Sequence, residues 1–333
     1  MKRRRFVQGA IVAGTGLGLG TAWSRWAPAP EPWRKEAITK RRDSRVLIAR
    51  CAQYEPVEAE RVVRAGLLAC GVAVLGKRVV LKPNFVEYDP RGVINTHPVL
   101  VAATAQALRR LGAREVVVAE GPGHRRDNGY LLRASGLLET LRDIGVRYVD
   151  LNRDRVHALR AGASYTSLQQ LWLPATIVDA DLVISMPKLK THHWAGVTLS
   201  MKNLFGIMPG AVYGWPKNVL HWQGIERSIL DISATLAQPP FTIVDGIVGM
   251  EGNGPIQGSS VNAGVLLFGA DPVAVDATAA RVMRLEPERV PYLAEAGRFR
   301  GNVHEEAIVQ IGEQVTRVQR AFVVPPRLEH LRA

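Results

Sequence analysis

DLVISMPKLKTHHWAGVTLSMKNLFGIMPG, residues 181–210, decides how this chain is read. It opens on an apolar run of strand type, 182–185, and breaks at Pro187 into a polar turn, KLKTHHW. It closes on TLSMKNLFG, a short helix-like piece stopped by Gly206. Lys188, Lys190, Thr191, His192, His193, Lys202 and Asn203 are thereby gathered within a few turns of chain. A strand that runs straight into such a cluster marks the ligand-binding edge of an α/β sheet.

The flanking sequence has the periodicity that such a sheet needs. Upstream, strands are expected at 45–50, 78–81, 115–119 and 146–150, with helices at 58–69, 98–111 and 128–144 between them. His97-Pro98 opens the second helix and Gly112 ends it. Residues 171–178 hold a short strand broken at Pro174. Downstream, a helix at 221–237 stops at Pro239-Pro240, and strands follow at 241–244 and 262–269, separated by a Gly-dense loop, 247–258. Asp271-Pro272 opens a helix to 283 with Asp271 as its N-cap, then come a helix at 287–298, a strand at 307–311 and a surface tail after Pro325. The β-α-β alternation implies an α/β fold, a mostly parallel sheet flanked by helices. Residues 46–325 read as a single α/β domain, or as two sub-lobes, 46–150 and 175–325.

Composition narrows the function classes. An apolar fraction of 47% in 333 residues excludes wholesale disorder. The net charge of +13 first suggests nucleic acid, but residues 1–45 carry 11 Lys and Arg against 3 Asp and Glu. The basic excess is mostly leader and linker, so nucleic acid is not the expected partner. Of 43 basic residues only 9 are Lys, and five of these are Lys82, Lys188, Lys190, Lys202 and Lys217. A chain this biased to Arg keeps Lys where a compact, bendable point charge is needed. Cys51 and Cys70 are the two cysteines, with no Cys-x-x-Cys, so no iron–sulfur cluster is expected within this chain. They read as two free thiols, or as a disulfide if the protein is exported.

MKRRRFVQGAIVAGTGLGLGTAW begins basic and continues uncharged from Gly9 to Trp23. Arg3-Arg4-Arg5-Phe6 resembles the twin-arginine export motif, so residues 1–26 are read as a signal used by the twin-arginine export machinery. The run is too short and too Gly-rich for a transmembrane helix. Ala27-Pro28-Ala29 has cleavage-site spacing, but Pro30 would follow the cut. The location expected is periplasmic, or membrane-anchored facing outward. Residues 27–45 read as a basic, Pro-rich linker.

Four expected strands lead directly into polar or Gly-rich turns: Lys82-Pro83-Asn84, Glu120-Gly121-Pro122-Gly123, Pro187-Lys188-Leu189-Lys190 and Asp245-Gly246. In a parallel sheet these carboxyl ends share one edge, so the turns should converge on one crevice. Lysines there suit a small anionic ligand, a carboxylate or a phosphate. Glu120, Asp245, Glu251 and Asp276 either pair with those lysines or hold a divalent cation such as Mg²⁺. Lys188, Lys190, Asp245 and Glu251 are the candidates for acid–base chemistry. Lys82, Asn84, Glu120, His192, Lys202, Asn203, Asn253 and Gly254 are the candidates for holding the ligand. EGPGH is not GxGxxG, and 249–258 is not GxxxxGK[ST], so neither matches a nucleotide fingerprint. His192 and His193 are adjacent and would point apart in an extended turn, and no HxxxH or HExxH occurs. No Gly-x-Ser-x-Gly elbow is present.

VVLKPNF, the 181–206 stretch, TIVDGIVGMEGNGPIQG and GADPVAVDATAARVM resemble, in order and spacing, the domain-of-unknown-function family numbered 362. The resemblance covers about residues 46–300 and implies an α/β domain without an assigned reaction. Relatives often carry a ferredoxin-type iron–sulfur segment, which this chain lacks, so an electron-transfer role would need a partner. Two readings follow. One is an exported enzyme binding a small anion in a Lys/Asp/Asn-lined crevice. The other is a non-catalytic binding or assembly partner of an iron–sulfur oxidoreductase.

Overall fold

The apolar runs do form strands, and a computed structural model describing residues 31–123 and 127–333 joins them in one sheet. The leader, the first residues of the expected linker and His124 lie outside the described residues. The strands are β1 (Ser44–Arg50), β2 (Arg78–Pro83), β3 (Glu115–Glu120), β4 (Tyr148–Asp150), β5 (Val156–Arg160), β6 (Gln170–Pro174), β7 (Leu182–Met186), β8 (Lys188–His192), β9 (Gly196–Thr198), β10 (Phe241–Asn253), β11 (Gln257–Gly269) and β12 (Ile308–Gly312). The main sheet runs β12-β1-β11-β10-β7-β2-β3-β4, with β8 on β10 and β9 on β8. Every pairing from β10 through β7, β2 and β3 to β4 is parallel. β11 runs antiparallel between β10 and β1. β5 and β6 form a separate hairpin.

Because side chains alternate along a strand, each uniform apolar run feeds two cores. Val79 and Leu81 enter one, Val80 the other. The first core packs under helices α1 (Pro56–Ala69) and α2 (Pro98–Arg110) through Val63, Leu67, Leu100 and Val101. Around the second core stand the short α3 (Ser200–Asn203), α4 (Ile225–Thr235), α5 (Pro272–Val282) and α6 (Pro291–Phe299), through Met201, Ile229, Val273 and Leu293. Full burial of each such side chain is worth about 1.5–3 kcal/mol. The caps are where the sequence places them. Asp271 accepts from Val273 N and Ala274 N, and His97 Nδ1 accepts from Val99 N.

Several local expectations change. KLKTH is strand β8, fully buried, because its polar side chains find partners inside the protein and so do not need a solvated turn. The Gly-dense loop 247–258 is instead the paired end of the β10–β11 hairpin. Its glycines serve close packing: a side chain at Gly249 would stand 2.7 Å from the Leu189 carbonyl oxygen. The helix expected at 128–144 is split, Asn128–Ala134 and Leu137–Asp143, by Gly136 at φ 74°. Trp33, from the expected linker, stacks on Phe299 at 4.5 Å, and Leu328 and Leu331 of the expected surface tail are buried. Trp33–Ala333 forms one compact unit. Among the described residues no helix is long and apolar enough to cross a membrane.

α3 is too short to hold itself. Asp276 of α5, wholly buried, accepts from Ser200 N at 2.7 Å and Met201 N at 2.9 Å. Burial pushes its carboxyl up to about 8, against those two donors. Replacing Asp276 by Ala leaves both N–H groups unpaired and should cost about 2–4 kcal/mol. Urea unfolding should show that loss, with a smaller one for Asp276→Asn.

Candidate functional site

The carboxyl ends of β2, β3 and β7, together with the chain that follows them, do converge. They enclose a cavity of about 550 Å³ lined by Lys82, Asn84, Glu120, His192, Lys202, Asn203 and Asn253 among others. At its base Lys82 and Glu120 form an ion pair at 2.7 Å, each side chain about 1% exposed. Lys82 Nζ also donates to Asn203 Oδ1 at 2.7 Å and to the Pro83 carbonyl at 3.0 Å. Glu120 in turn accepts from Phe85 N at 3.1 Å and Gly121 N at 2.9 Å. Burial alone pulls the Lys82 ammonium down and the Glu120 carboxyl up, and their mutual attraction opposes both shifts. Gly206 lies against the pair so closely that a Cβ there would collide with Glu120 Oε1 and Lys82 Nζ.

The other cavity lysines differ in how they are held. Lys217 Nζ donates to Asn152 Oδ1 and to the Met208 carbonyl, and burial brings it down to about 7. Lys202 has no hydrogen bond and no carboxylate partner among the described residues. Its Nζ lies 4.0 Å from the centre of the Phe205 ring. Burial, then the Lys82 charge, brings it down to about 7. His192 Nδ1 accepts from Trp194 N and Ala195 N, both at 3.1 Å, so its neutral ring carries the proton on Nε2. Burial first, then the Lys202 charge, hold that ring well below the usual imidazole value. His221 is the reverse case: Nδ1 faces the Lys217 carbonyl at 3.0 Å, which leaves a lone pair on Nε2. Burial lowers its pKa as well.

Lys188, Lys190, Asp245 and Glu251 do not line the cavity. Lys188 and Asp245 sit in a second buried cluster, paired at 3.0 Å. Tyr54 Oη donates to Asp245 Oδ1 at 2.8 Å and accepts from Lys188 Nζ at 2.7 Å. His97 N donates to Asp245 Oδ2 at 3.0 Å, and its ring stacks on Tyr54 at 3.8 Å. Burial and the Asp245 charge push the Tyr54 phenol up. Lys190, unexposed, donates to the carbonyls of Ile94 at 2.9 Å and Pro255 at 3.3 Å; burial, then neighbouring lysines, hold it well below the ordinary lysine value. Glu251 accepts from Val323 N at 2.8 Å and ties the hairpin to the tail. Gly254 supplies a carbonyl that accepts from His193 N at 2.9 Å. Asp276, weighed as a lysine partner or cation ligand, caps α3 instead.

Sequence reasoning missed Tyr54, Phe85, His97, Asn152, Trp194, Phe205 and Gly206 as members of these two clusters. A residue's neighbours in a crevice come from separate loops, and only the preference for Lys at position 217 was a usable signal. Among the described residues, no three His, Cys, Asp or Glu side chains come together as a metal site. Among the described residues, the cavity-lining atoms Asn84 Oδ1 and Thr198 Oγ1 are buried without a hydrogen-bond partner. Each such orphan costs about 1–3 kcal/mol unless something fills it.

The ion pair gives a direct test. Glu120→Gln leaves Lys82 uncompensated and should cost about 3–5 kcal/mol in denaturant unfolding. The double variant Lys82→Met/Glu120→Gln should recover part of that loss. Gly206→Ala should destabilise although both charges remain.

A thylakoid-associated protein of Synechocystis sp. is 30% identical over 230 residues, covering 67% of this chain and 68% of that protein. Two solved structures are more distantly similar. The lactate racemase apoprotein from Thermoanaerobacterium thermosaccharolyticum is 16% identical with a TM-score of 0.42, covering 75% of this chain and 58% of that one. A protein from Thermotoga maritima is 13% identical with a TM-score of 0.38, covering 67% and 57%. The chain thus spans less than two thirds of either of these structures. The family model described as domain of unknown function (DUF362) matches residues 79–281, through β2, β3, the 181–210 stretch and the β10–β11 hairpin, and this chain belongs to that family.

Proposed function

We propose that this protein is an enzyme that binds a small organic anion, a carboxylate or phosphate, in the cavity at the strand ends. The observation that carries the reading is Lys202, a cavity cation with neither carboxylate nor hydrogen-bond partner. A half-buried charge held this way, with no carboxylate or hydrogen-bond partner among the described residues, is better compensated when an anion arrives. The orphaned Asn84 Oδ1 and Thr198 Oγ1 add that the ligand also carries a hydrogen-bond donor. Phe85, Val86, Trp194, Phe205 and Ile256 supply an apolar wall for the rest of it.

In this reading Lys202 and Lys217 attract the anion, and Lys82, Asn203 and Glu120 form the floor that orients it. His192 offers an N–H donor at Nε2 and His221 an acceptor at Nε2, a complementary pair for moving a proton on the bound molecule. Lys188, Asp245 and Lys190, expected to react, would support the site from behind by fixing the loops after β1, β2 and β7. A divalent cation would enter with the ligand, since the two cavity carboxylates among the described residues are Glu120, engaged by Lys82 and backbone, and Glu87, which accepts from Tyr88 N. We also propose that residues 1–26 direct export through the twin-arginine route. The Arg3-Arg4-Arg5-Phe6 run supports this, and the thylakoid-associated relative fits a membrane-linked location.

Binding of phosphate or of small carboxylates should be measured by calorimetry on the full chain. Lys202→Ala should weaken it about tenfold or more. An anion favours the ammonium form, and free Lys202 holds its proton only up to about pH 7. Affinity should therefore be flat below that pH and fall about tenfold per unit above it, until the ligand-bound pKa is reached. Unchanged affinity in Lys202→Ala across this range would sink the reading. For the leader, substitution of Arg3 and Arg4 by Lys should block export of a fused reporter.

A further inference from the structure

Lysines at this sheet edge divide sharply by what their nitrogens touch. Lys82 spends its three N–H groups on Glu120, Asn203 and the Pro83 carbonyl. Lys188 is engaged by Asp245 and Tyr54, Lys190 by two carbonyls, and Lys217 by Asn152 and Met208. An amine whose hydrogens are held by carbonyls and carboxylates is kept as a donor, and its lone pair is not presented to a ligand. Lys202 alone among these five has none of these contacts. It stands on Phe205, in the cavity, on the single turn α3 whose first N–H groups Asp276 holds.

From this geometry we propose that Lys202 is a nucleophile that captures a carbonyl-bearing anion of the 2-oxo acid class as an imine. The proposal rests on the anion-binding reading above and names the substrate class of that same cavity. Its parts are present. The amine is accessible to a ligand in the cavity and held in one place. Burial and the Lys82 charge bring it down to about 7, so a large share is uncharged near neutral pH, although the Phe205 face favours the charged form. Lys217 has used two of its three N–H groups, and the third remains for the carboxylate. His192 presents an Nε2 proton to the same space, suited to the carbonyl oxygen. Around the amine the charged and titratable groups are Lys82, Lys190, Lys217, Glu87, Glu120, His192, His193 and His221.

The step balances without an oxidant or reductant. The Lys202 nitrogen lone pair attacks the carbonyl carbon, the C=O π pair moves to oxygen, and that oxygen takes a proton. The nitrogen then releases a proton, giving the carbinolamine; its hydroxyl takes a second proton and leaves as water while the nitrogen lone pair closes the C=N bond, so the imine is formed protonated. The result is one imine and one water per carbonyl. A protonated imine draws electrons from the neighbouring carbon, which is the purpose of such a link.

The test is reductive trapping on the full chain. Wild type is incubated with phenylpyruvate, whose ring suits the apolar wall, and reduced with sodium cyanoborohydride. Intact mass and peptide mapping then locate the adduct. The expected result is one adduct per chain, on Lys202, reduced about tenfold or more in Lys202→Arg, which keeps the charge but lacks a nucleophilic amine. Mapping in wild type decides the matter even if the Arg variant folds poorly. Phenyllactate, which has no carbonyl, is the control ligand. Phenyllactate binding by calorimetry with no Lys202 adduct would overturn the imine and leave the anion site standing. An adduct spread over other lysines, or unchanged in Lys202→Arg, would also overturn it. Failure of both ligands to bind would remove the anion-binding reading and this proposal with it.

Discussion

The buried ion pair between Lys82 and Glu120 is the constraint that the rest of the strand-end architecture serves. Taking two charges out of water costs several kcal/mol per ion even after relaxation, and their attraction repays that only with good geometry and filled valences. Here the filling is complete on the lysine side. Glu120, Asn203 and the Pro83 carbonyl take its three hydrogens, while two backbone N–H groups serve the carboxylate. Each partner sits on a different element, so the pair sets the relative positions of β2, β3, the chain after β2 and α3. Asn203 completes the set by donating to the Lys82 carbonyl and to Ser185 Oγ of β7. Gly206 is required because the chain after α3 passes directly against both charged groups.

A second pair, Lys188 with Asp245, does the same work one strand over. It joins β8 and β10 to Tyr54 after β1 and His97 before α2. The Lys188–Asp245 pair does not line the cavity, and the Lys82 ammonium at its base has all three hydrogens engaged. That saturation makes the exceptions informative. Lys202, Asn84 Oδ1 and Thr198 Oγ1 are groups of this cavity without a hydrogen-bond partner among the described residues. Polar groups left wanting in a cavity whose surroundings are otherwise satisfied point to a ligand more strongly than charge alone.

Much of the fold was legible because strand periodicity and caps act locally. The five central parallel strands, the two long helices over one face and the caps at Asp271 and His97 follow from residues a few positions apart. The failures share one cause. KLKTH looks like a solvated turn, and GMEGNGPIQG like a flexible loop, because local polarity and glycine content do not reveal what will pack against them. Lys188 and Lys190 find their partners on β10, in the hairpin turn after it and in the segment between β2 and α2, more than fifty positions away in each case. The glycines of the hairpin make room for the Leu189, Thr191 and Met250 backbone and side chains.

By itself the sequence determined the fold class, the edge of the sheet on which polar groups gather, and the family. These follow from hydrophobic period, from the rule that parallel strands share their carboxyl ends, and from four long motifs in order. It also singled out the rare lysines as a set. Only the tertiary structure decided what each lysine does. Roles at such an edge depend on which acceptors lie within about 3 Å of each nitrogen, and those come from distant segments that chain order does not rank. Hence Lys188 and Lys190, acid–base candidates in the sequence, and Lys82, a ligand-holding candidate, are bound up in the protein's own hydrogen bonds. Lys202, which the sequence groups with the other rare lysines as a ligand-holding candidate, is the one left without a hydrogen-bond partner in the cavity among the described residues.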